Sequence, residues 1–256
     1  MATSYRCIQQ QQTTTTSFKV AVVSLLEKYG MEKEETYEEG FERLMKEAHA
    51  GSPPEQFVVG WVLDNGCGVR IDEKLSMKWY QRAADQGHPV AWNCLALMYE
   101  NAKCGLVEDI KRAAELYRLA ADKGYAAAQV NLGRLYEDGI GVDLNEKEAF
   151  ELYKAAADQS HPGALDMVGL MYQFGKGVEK DEKKAVEAYR LSADLGHASA
   201  LFNLALAYEV GFGVEKDDKK AAEFYRLAAD HDHPESIYNL AVMHEEARGA
   251  KRILLW

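Results

Sequence analysis

The sequence is short of cysteine, of basic residues and of long apolar runs, and each shortage excludes a class of protein. Its four cysteines form no C-x-x-C pair and no regular spacing, which indicates reduced thiols in a cytosolic compartment. Forty-one acidic against 30 basic residues give a formal charge of −11, whereas a nucleic-acid-binding protein needs a basic surface. The apolar run at residues 20–26 is too short for a membrane span, which needs about 20 residues.

The sequence does contain a motif that repeats at an almost constant interval. A valine or leucine closes a glycine-rich turn at Val69, Leu106, Val142, Val178 and Val214, in steps of 37, 36, 36 and 36. A tyrosine follows each of them at Tyr80, Tyr117, Tyr153, Tyr189 and Tyr225. A third column reads Asp72, Asp109, Asn145, Asp181 and Asp217. Such a period is typical of a repeat protein in which each unit packs on the next.

Each repeat resolves into two helices, as residues 198–233 illustrate. Ala200, Leu204 and Tyr208 follow one another at helical spacing and predict a first helix. Glycine at 211 and 213 ends this helix, because glycine tolerates the backbone angles of a helix end. Asp217 then predicts the N-cap of a second helix that carries Tyr225 on its buried side. The pattern predicts an all-α chain of tandem helix-turn-helix repeats.

These residues resemble the Sel-one-like repeat (SLR) family, a relative of the tetratricopeptide repeats. The resemblance lies in the L-G-x-x-Y segment, the G-x-G-V turn, the aspartate, the tyrosine and the A-A-x-x-G close, over roughly residues 53–249. It implies a right-handed α-α solenoid that holds other proteins together and has no chemistry of its own. Two repeats depart from the pattern. Lys103 and Cys104 stand where a first glycine is expected, and His244 and Ala247 replace the tyrosine and the first glycine of the last repeat.

The expected organisation has three parts. Residues 1–17 are polar and of low complexity and predict a disordered tail. Residues 18–52 predict capping helices, with Leu44 in the tyrosine column and Ala48 in the alanine pair. The solenoid follows over 53–256, as repeats 53–88, 89–125, 126–161, 162–197 and 198–233 and a partial repeat 234–256. Since the partial repeat lacks a matching second helix, its uncovered apolar stripe suggests self-association or a partner at that end.

No catalytic, cofactor or metal site is predicted. His88, His161, His197 and His233 occupy one column, so neighbours lie about 8–10 Å apart, too far to share one zinc ion. The glycine turns follow helices, whereas a phosphate-binding loop follows a strand and opens a helix. A catalytic cysteine or serine needs an oriented histidine nearby, and the sequence indicates none.

The candidate binding surface is the side of the first helices that faces away from the core. Counted from the small residue that opens each first helix, positions two, three and six lie about 200–300° around the helix, opposite the core positions. By resemblance to tetratricopeptide repeats, first helices line the concave side of the array. The predicted partner-binding residues are Leu97, Asn131, Arg134, Leu170, Phe202, Asn203, Leu206, Tyr238, Asn239 and Val242. An alternative stays open, in which this column packs against the next repeat and the asparagines bond local backbone.

The sequence thus predicts a non-enzymatic scaffold or adaptor that binds protein or peptide partners on its concave face, with no nucleic acid, membrane insertion or cofactor. Two alternatives remain: a regulatory or activator subunit of an enzyme complex, in signalling, protein quality control or cell-wall synthesis, and a hydrolase on the same scaffold. A cytoplasmic location is expected. The acid-free tail around Arg6 leaves an organelle-targeting signal as an alternative.

Overall fold

The protein is described by a computed structural model over residues 24–29, 31 and 37–253, and for residues 244–253 through the backbone alone. The predicted tail 1–17 and the first part of the predicted cap lie outside the described residues. Residues 24–28 are helical. The α-helices that follow are α1 (Tyr37–His49), α2 (Pro53–Asn65), α3 (Glu73–Asp85), α4 (Pro89–Glu100), α5 (Ile110–Asp122), α6 (Ala126–Asp138), α7 (Glu146–Ala157), α8 (Pro162–Phe174), α9 (Glu182–Asp194), α10 (Ala198–Val210), α11 (Asp218–Ala229) and α12 (Pro234–Ile253). The described residues contain no strand, as the sequence predicts.

The chain forms two compact units, Met1–Leu144 and Asn145–Trp256. In the first unit, α2 pairs with α3 and α4 with α5, while α1 packs on α2 and α6 on α5. In the second unit, α8 pairs with α9 and α10 with α11, while α7 packs on α8 and α12 on α11. Four second helices, α3, α5, α9 and α11, each contact both their own first helix and the first helix that follows.

Helix ends follow from the residues predicted to cap them. The side chains of Asp72, Asp109, Asn145, Asp181 and Asp217 each accept a hydrogen bond from a backbone N–H in the first turn of a second helix. Gly211 ends α10 in the left-handed conformation, with φ 78°. The second glycine of each G-x-G turn is needed for a different reason, which is the lack of space for a side chain. A Cβ on Gly177 would overlap the carbonyl oxygen of Glu146, because the turn lies against the start of α7.

The turn after α4 differs because it has no glycine at its start. Asn101 ends α4, and a short 3₁₀ helix follows at Lys103–Gly105. Ala102 and Cys104 both adopt positive φ, of 51° and 60°, a region that non-glycine residues rarely occupy. Repeat 89–125 is one residue longer than the repeats that follow, and this local strain accommodates the additional residue.

The core is built from tyrosines and small residues. Tyr80, Tyr117, Tyr153, Tyr189 and Tyr225 are all almost fully buried. The ring of Tyr189 lies so close to Gly169 that a Cβ there would be 2.5 Å from a ring carbon. From α4 onwards, the small residue near the start of each first helix is also fully buried, as Ala164 and Ala200 show. Close helix pairing therefore depends on small residues of one helix facing the ring of the next.

Glu55 breaks this pattern in α2, where it occupies the position that Ala91, Ala128, Ala164 and Ala200 hold in later repeats. It is buried, and its carboxylate accepts hydrogen bonds from Lys28 at 2.8 Å, from the Tyr29 hydroxyl at 3.0 Å and from Ser52. Burial alone would raise its pKa, but the bonds from Lys28, Ser52 and Tyr29 lower the pKa to about 2. Glu55 thereby fastens residues 28 and 29 to the first repeat.

Candidate functional site

The residues predicted to bind a partner lie on the first helices, and the structure gives them different surroundings. Tyr238 is 69% exposed and Leu97 is 38% exposed. The other eight are partly buried. We call the outward side of the first helices, at positions two, three, six and ten after the small residue, the first-helix face.

Asn131 and Asn203 are engaged inside the protein. The amide of Asn131 donates to the Asn93 side chain at 3.1 Å, and that of Asn203 donates to Asp166 Oδ1 at 2.9 Å. Each bond joins the first helices of successive repeats, so the partner of the asparagine is a side chain rather than local backbone. Their amides hold neighbouring repeats together.

Arg134 belongs to a network within the first unit. It forms an ion pair with Glu100, whose other carboxylate oxygen accepts from the Tyr117 hydroxyl at 2.6 Å. Burial, together with this bond to a carboxylate, raises the pKa of Tyr117. The same bond recurs in the second unit, where Tyr225 donates to Glu209. Arg134 thus pairs with the carboxylate that accepts from a structural tyrosine, and Arg134 keeps part of its own surface exposed.

Phe202 and Asn239 also make internal contacts. The Phe202 ring stacks on His233 at 4.8 Å between centroids and tilts against Tyr225 at 5.8 Å. Asn239 interacts with the Tyr225 side chain. Phe202 therefore contributes to packing at the start of α12 and presents only part of its ring outward.

Two exposed residues on this face are missing from the predicted set. Phe174 is 63% exposed and Val210 is 68% exposed, although both side chains are large and apolar. Each follows a predicted residue, Leu170 or Leu206, by one helical turn, which places it on the same face of its helix. Extending the helical count by four residues would have found both. We call Leu170, Phe174, Leu206 and Val210 the apolar patch.

Charge is nearly absent from the two helices that carry the apolar patch. The only charged residue of α8 is Asp166, which is buried, and that of α10 is Glu209, which is bonded to Tyr225. In the first unit, by contrast, α6 carries Arg134, Glu137 and Asp138. The first-helix face thus has no exposed charge on α8 and α10, whereas it carries charges on α6.

The histidines of the repeating column lie in the turns just before the first helices. Nδ1 of His88 and of His161 accepts from the backbone N–H of Ala91 and Ala164, which caps α4 and α8. His197 Nδ1 instead lies 3.8 Å from the Asp166 carboxylate. Across the residues that the structure describes, no group of histidine, cysteine and carboxylate side chains is arranged to hold a metal ion.

The cysteines depart from the expectation of four reduced thiols. Cys94 and Cys104 are free, but Cys67 is buried and disulfide-bonded. Spacing could not reveal this bond, because it does not recur with the repeat. Among the described helices, none is both long and apolar enough to cross a bilayer.

The family model of the Sel1 repeat matches residues 56–88, 95–125, 126–161, 162–197, 198–233 and 234–252, which is more than half of the chain. The chain belongs to the Sel1 repeat family. The strained turn at Cys104 lies inside the second matched repeat, and the buried Glu55 immediately precedes the first.

Solved structures agree with the family. A Sel1 repeat protein from Oxalobacter formigenes is 31% identical, with a TM-score of 0.77 and 86% of each chain covered. The protective antigen c5321 of uropathogenic Escherichia coli, which displays an SLR fold, is 27% identical with a TM-score of 0.75. The match covers 94% of this chain but only 55% of that one. The immunity protein Pa5087 from Pseudomonas aeruginosa shares the fold at 18% identity and a TM-score of 0.51, over 88% and 85% of the two chains. No curated protein sequence matches the chain.

These findings confirm the predicted family and the predicted fold class, an all-α helical-repeat solenoid. They establish the repeat scaffold that is generally used for protein interaction. The repeat and domain boundaries drawn from the sequence, and the predicted binding residues, stay predictions.

Proposed function

We propose that this Sel1 repeat chain is a non-enzymatic scaffold or adaptor that binds a protein or peptide partner on the predicted concave, first-helix face of residues 145–256. The observation that carries the proposal is the apolar patch on α8 and α10, where Phe174 and Val210 are 63% and 68% exposed. Apolar side chains exposed together are typical of protein-interaction sites.

The exposed fractions of the four side chains in the apolar patch distinguish a binding role from a packing role. Leu170 and Leu206 pack partly against the core of the second unit, so the packing alternative accounts for much of their surface. Phe174 and Val210, one turn further along their helices, keep most of their surface open to solvent. We therefore assign the anchoring contacts to Phe174 and Val210 and a supporting role to the two leucines.

The partner that fits this patch presents apolar side chains of its own. The first-helix face of α8 and α10 offers no exposed charge, so it has no group with which to select an acidic or a basic segment. Selectivity then comes from the shape of the patch, and affinity comes mainly from apolar area removed from water. The cytoplasmic location expected from the sequence stays a prediction.

An affinity pull-down with quantitative mass spectrometry tests the proposal. The test variant combines Phe174→Glu with Val210→Glu. The matched control combines Leu191→Glu with Leu227→Glu, two exposed leucines on second helices of the same unit. We expect partners to be lost with the test variant and retained with the control, while circular dichroism shows both variants to be helical. Equal retention by both variants would contradict the proposed surface. A co-purified enzyme whose activity changes with the test variant would identify the regulatory-subunit form of the same function.

A further inference from the structure

The histidine that closes a repeat contacts the side chain at position two of the first helix of that repeat. In the first repeat the His88 ring stacks on Phe57, with 5.0 Å between ring centroids. In the fifth repeat the His233 ring stacks on Phe202, with 4.8 Å between centroids. Burial lowers the pKa of His88 to about 4, so its contact with Phe57 is made by a neutral imidazole at neutral pH.

Repeat 162–197 has a carboxylate at this position, and its closing histidine faces that carboxylate. Asp166 is 1% exposed, and Asn203 donates to its Oδ1. Nδ1 of His197 lies 3.8 Å from Oδ2, which is beyond hydrogen-bond distance. This nitrogen is buried and has no hydrogen-bond partner among the described residues, whereas Nδ1 of His161 accepts from a backbone N–H. In the tautomer that His161 adopts, His197 presents a lone pair to the carboxylate, so that two acceptors face each other.

Three other titratable side chains surround this pair. Tyr189 of α9 lies close enough to Asp166 for the carboxylate to add to the raised pKa of the phenol, of which burial is the main cause. His161 faces His197, and His233 faces Asp166 from the turn before α12. Burial raises the pKa of Asp166, although the facing histidines lower it. The charged carboxylate is therefore unfavourable where it stands.

We propose that Asp166 and His197 form a pH-sensitive switch that fastens α10 to α8 when the pair takes up one proton. The proton comes from solvent and binds between Oδ2 of Asp166 and Nδ1 of His197, where it cancels the charge of the carboxylate. The 3.8 Å separation then closes to that of a charge-assisted hydrogen bond, about 2.8 Å. Because His197 is the N-cap residue of α10 and Asn203 of α10 donates to Oδ1, both carboxyl oxygens then hold the same helix.

The switch lies between the two helices that carry the apolar patch. It involves none of the four residues of that patch, and it operates in the isolated chain. The switch therefore does not depend on the proposed function, and its test needs no partner.

The direction of the pH effect follows from where the proton binds. In the folded protein the proton neutralises a buried carboxylate, whereas in the unfolded chain Asp166 and His197 bind protons independently. The folded pair therefore holds its first proton more tightly. The fold gains stability as the pH falls towards about 6.5, the ordinary value for histidine, below which the unfolded chain is protonated as well. The raised pKa of Asp166 has the same sign, and its contribution is complete below 3.8.

A double-mutant cycle on the full chain, measured by urea unfolding, tests the switch. The cycle combines Asp166→Asn with His197→Gln and is run at about pH 8 and about pH 5.5, on either side of the ordinary histidine value. At the lower pH the coupling between the two residues should raise the folding equilibrium constant at least about fivefold over its effect at the higher pH, since one unit of pKa is worth up to tenfold. The matched cycle of Asp166→Asn with His231→Gln, at an exposed turn histidine of the same unit, should show no coupling at either pH.

NMR of the imidazole protons of the wild-type chain gives a second readout that does not rely on a variant. At the lower pH we expect an Nδ1–H signal of His197 that is protected from solvent exchange, and at the higher pH we expect that signal to be absent. The proposal is overturned if the signal does not appear, or if the coupling of Asp166 with His197 is the same at both pH values. It is also overturned if the cycle with His231 shows the same pH-dependent coupling.

Discussion

The side-chain amide of Asn203 donates a 2.9 Å hydrogen bond to the buried carboxylate of Asp166, 37 residues earlier. In the first unit, Asn131 donates to Asn93 from the same pair of repeat positions. One carboxylate and one amide thus fill the same structural role, which is to join the first helices of successive repeats.

Asn203→Leu should destabilise the protein, because it leaves the Asp166 carboxylate buried without its donor. We expect a loss of about 1–3 kcal/mol in the free energy of unfolding, measured by urea denaturation. Asp166→Asn is the control, since it keeps an acceptor for Asn203 and recreates the amide pair of the first unit. It should leave stability equal or higher. If Asn203→Leu has no effect, the bond does not hold the repeats together.

Glu55→Gln should loosen residues 28 and 29 from the first repeat, because the amide lacks the charge that Lys28 pairs with. The pKa of Glu55 is lowered to about 2 from an ordinary value of 4.5. Its charged form therefore stabilises the fold above pH 4.5, and this contribution is lost as the pH falls towards 2. The difference in unfolding free energy between wild type and Glu55→Gln should shrink over that interval. A difference that does not depend on pH would show that Glu55 acts through packing alone.

Gly177→Ala should cost more stability than Gly196→Ala, although both glycines have positive φ, of 65° and 79°. At Gly196 an added methyl group meets no atom within 4 Å, so only the backbone strain of about 1–2 kcal/mol applies. At Gly177 the methyl group also overlaps the Glu146 carbonyl, which adds about 1–3 kcal/mol. Thermal unfolding of the two variants provides the comparison. Equal losses would mean that the turn moves away from α7 without cost.

The sequence predicts those features that repeat with the period. The capping role of Asp217, the left-handed glycine at 211 and the burial of Tyr225 each follow from one column read along the chain. The helical count also placed Leu170 and Leu206 on the outward face, and one more turn would have reached Phe174 and Val210.

Features that depend on a single repeat or on contacts between columns could not be predicted. The bond from Asn203 to Asp166 joins two different columns, and its formation depends on how successive first helices are rotated. Glu55 sits in a small-residue column, so its burial depends on Lys28 and Tyr29, which lie outside the period. The disulfide at Cys67 could likewise not be predicted from the spacing of the cysteines.

Site-specific photo-crosslinking tests most directly the claim that the apolar patch binds a partner. A photoreactive phenylalanine analogue would replace Phe174 in one sample, Val210 in a second and Leu191, on a second helix, in a third. We expect illumination in cell extract to give the same defined adduct from positions 174 and 210 and none from 191. An adduct from position 191 alone, with none from 174 or 210, would contradict the account and place binding on the second helices.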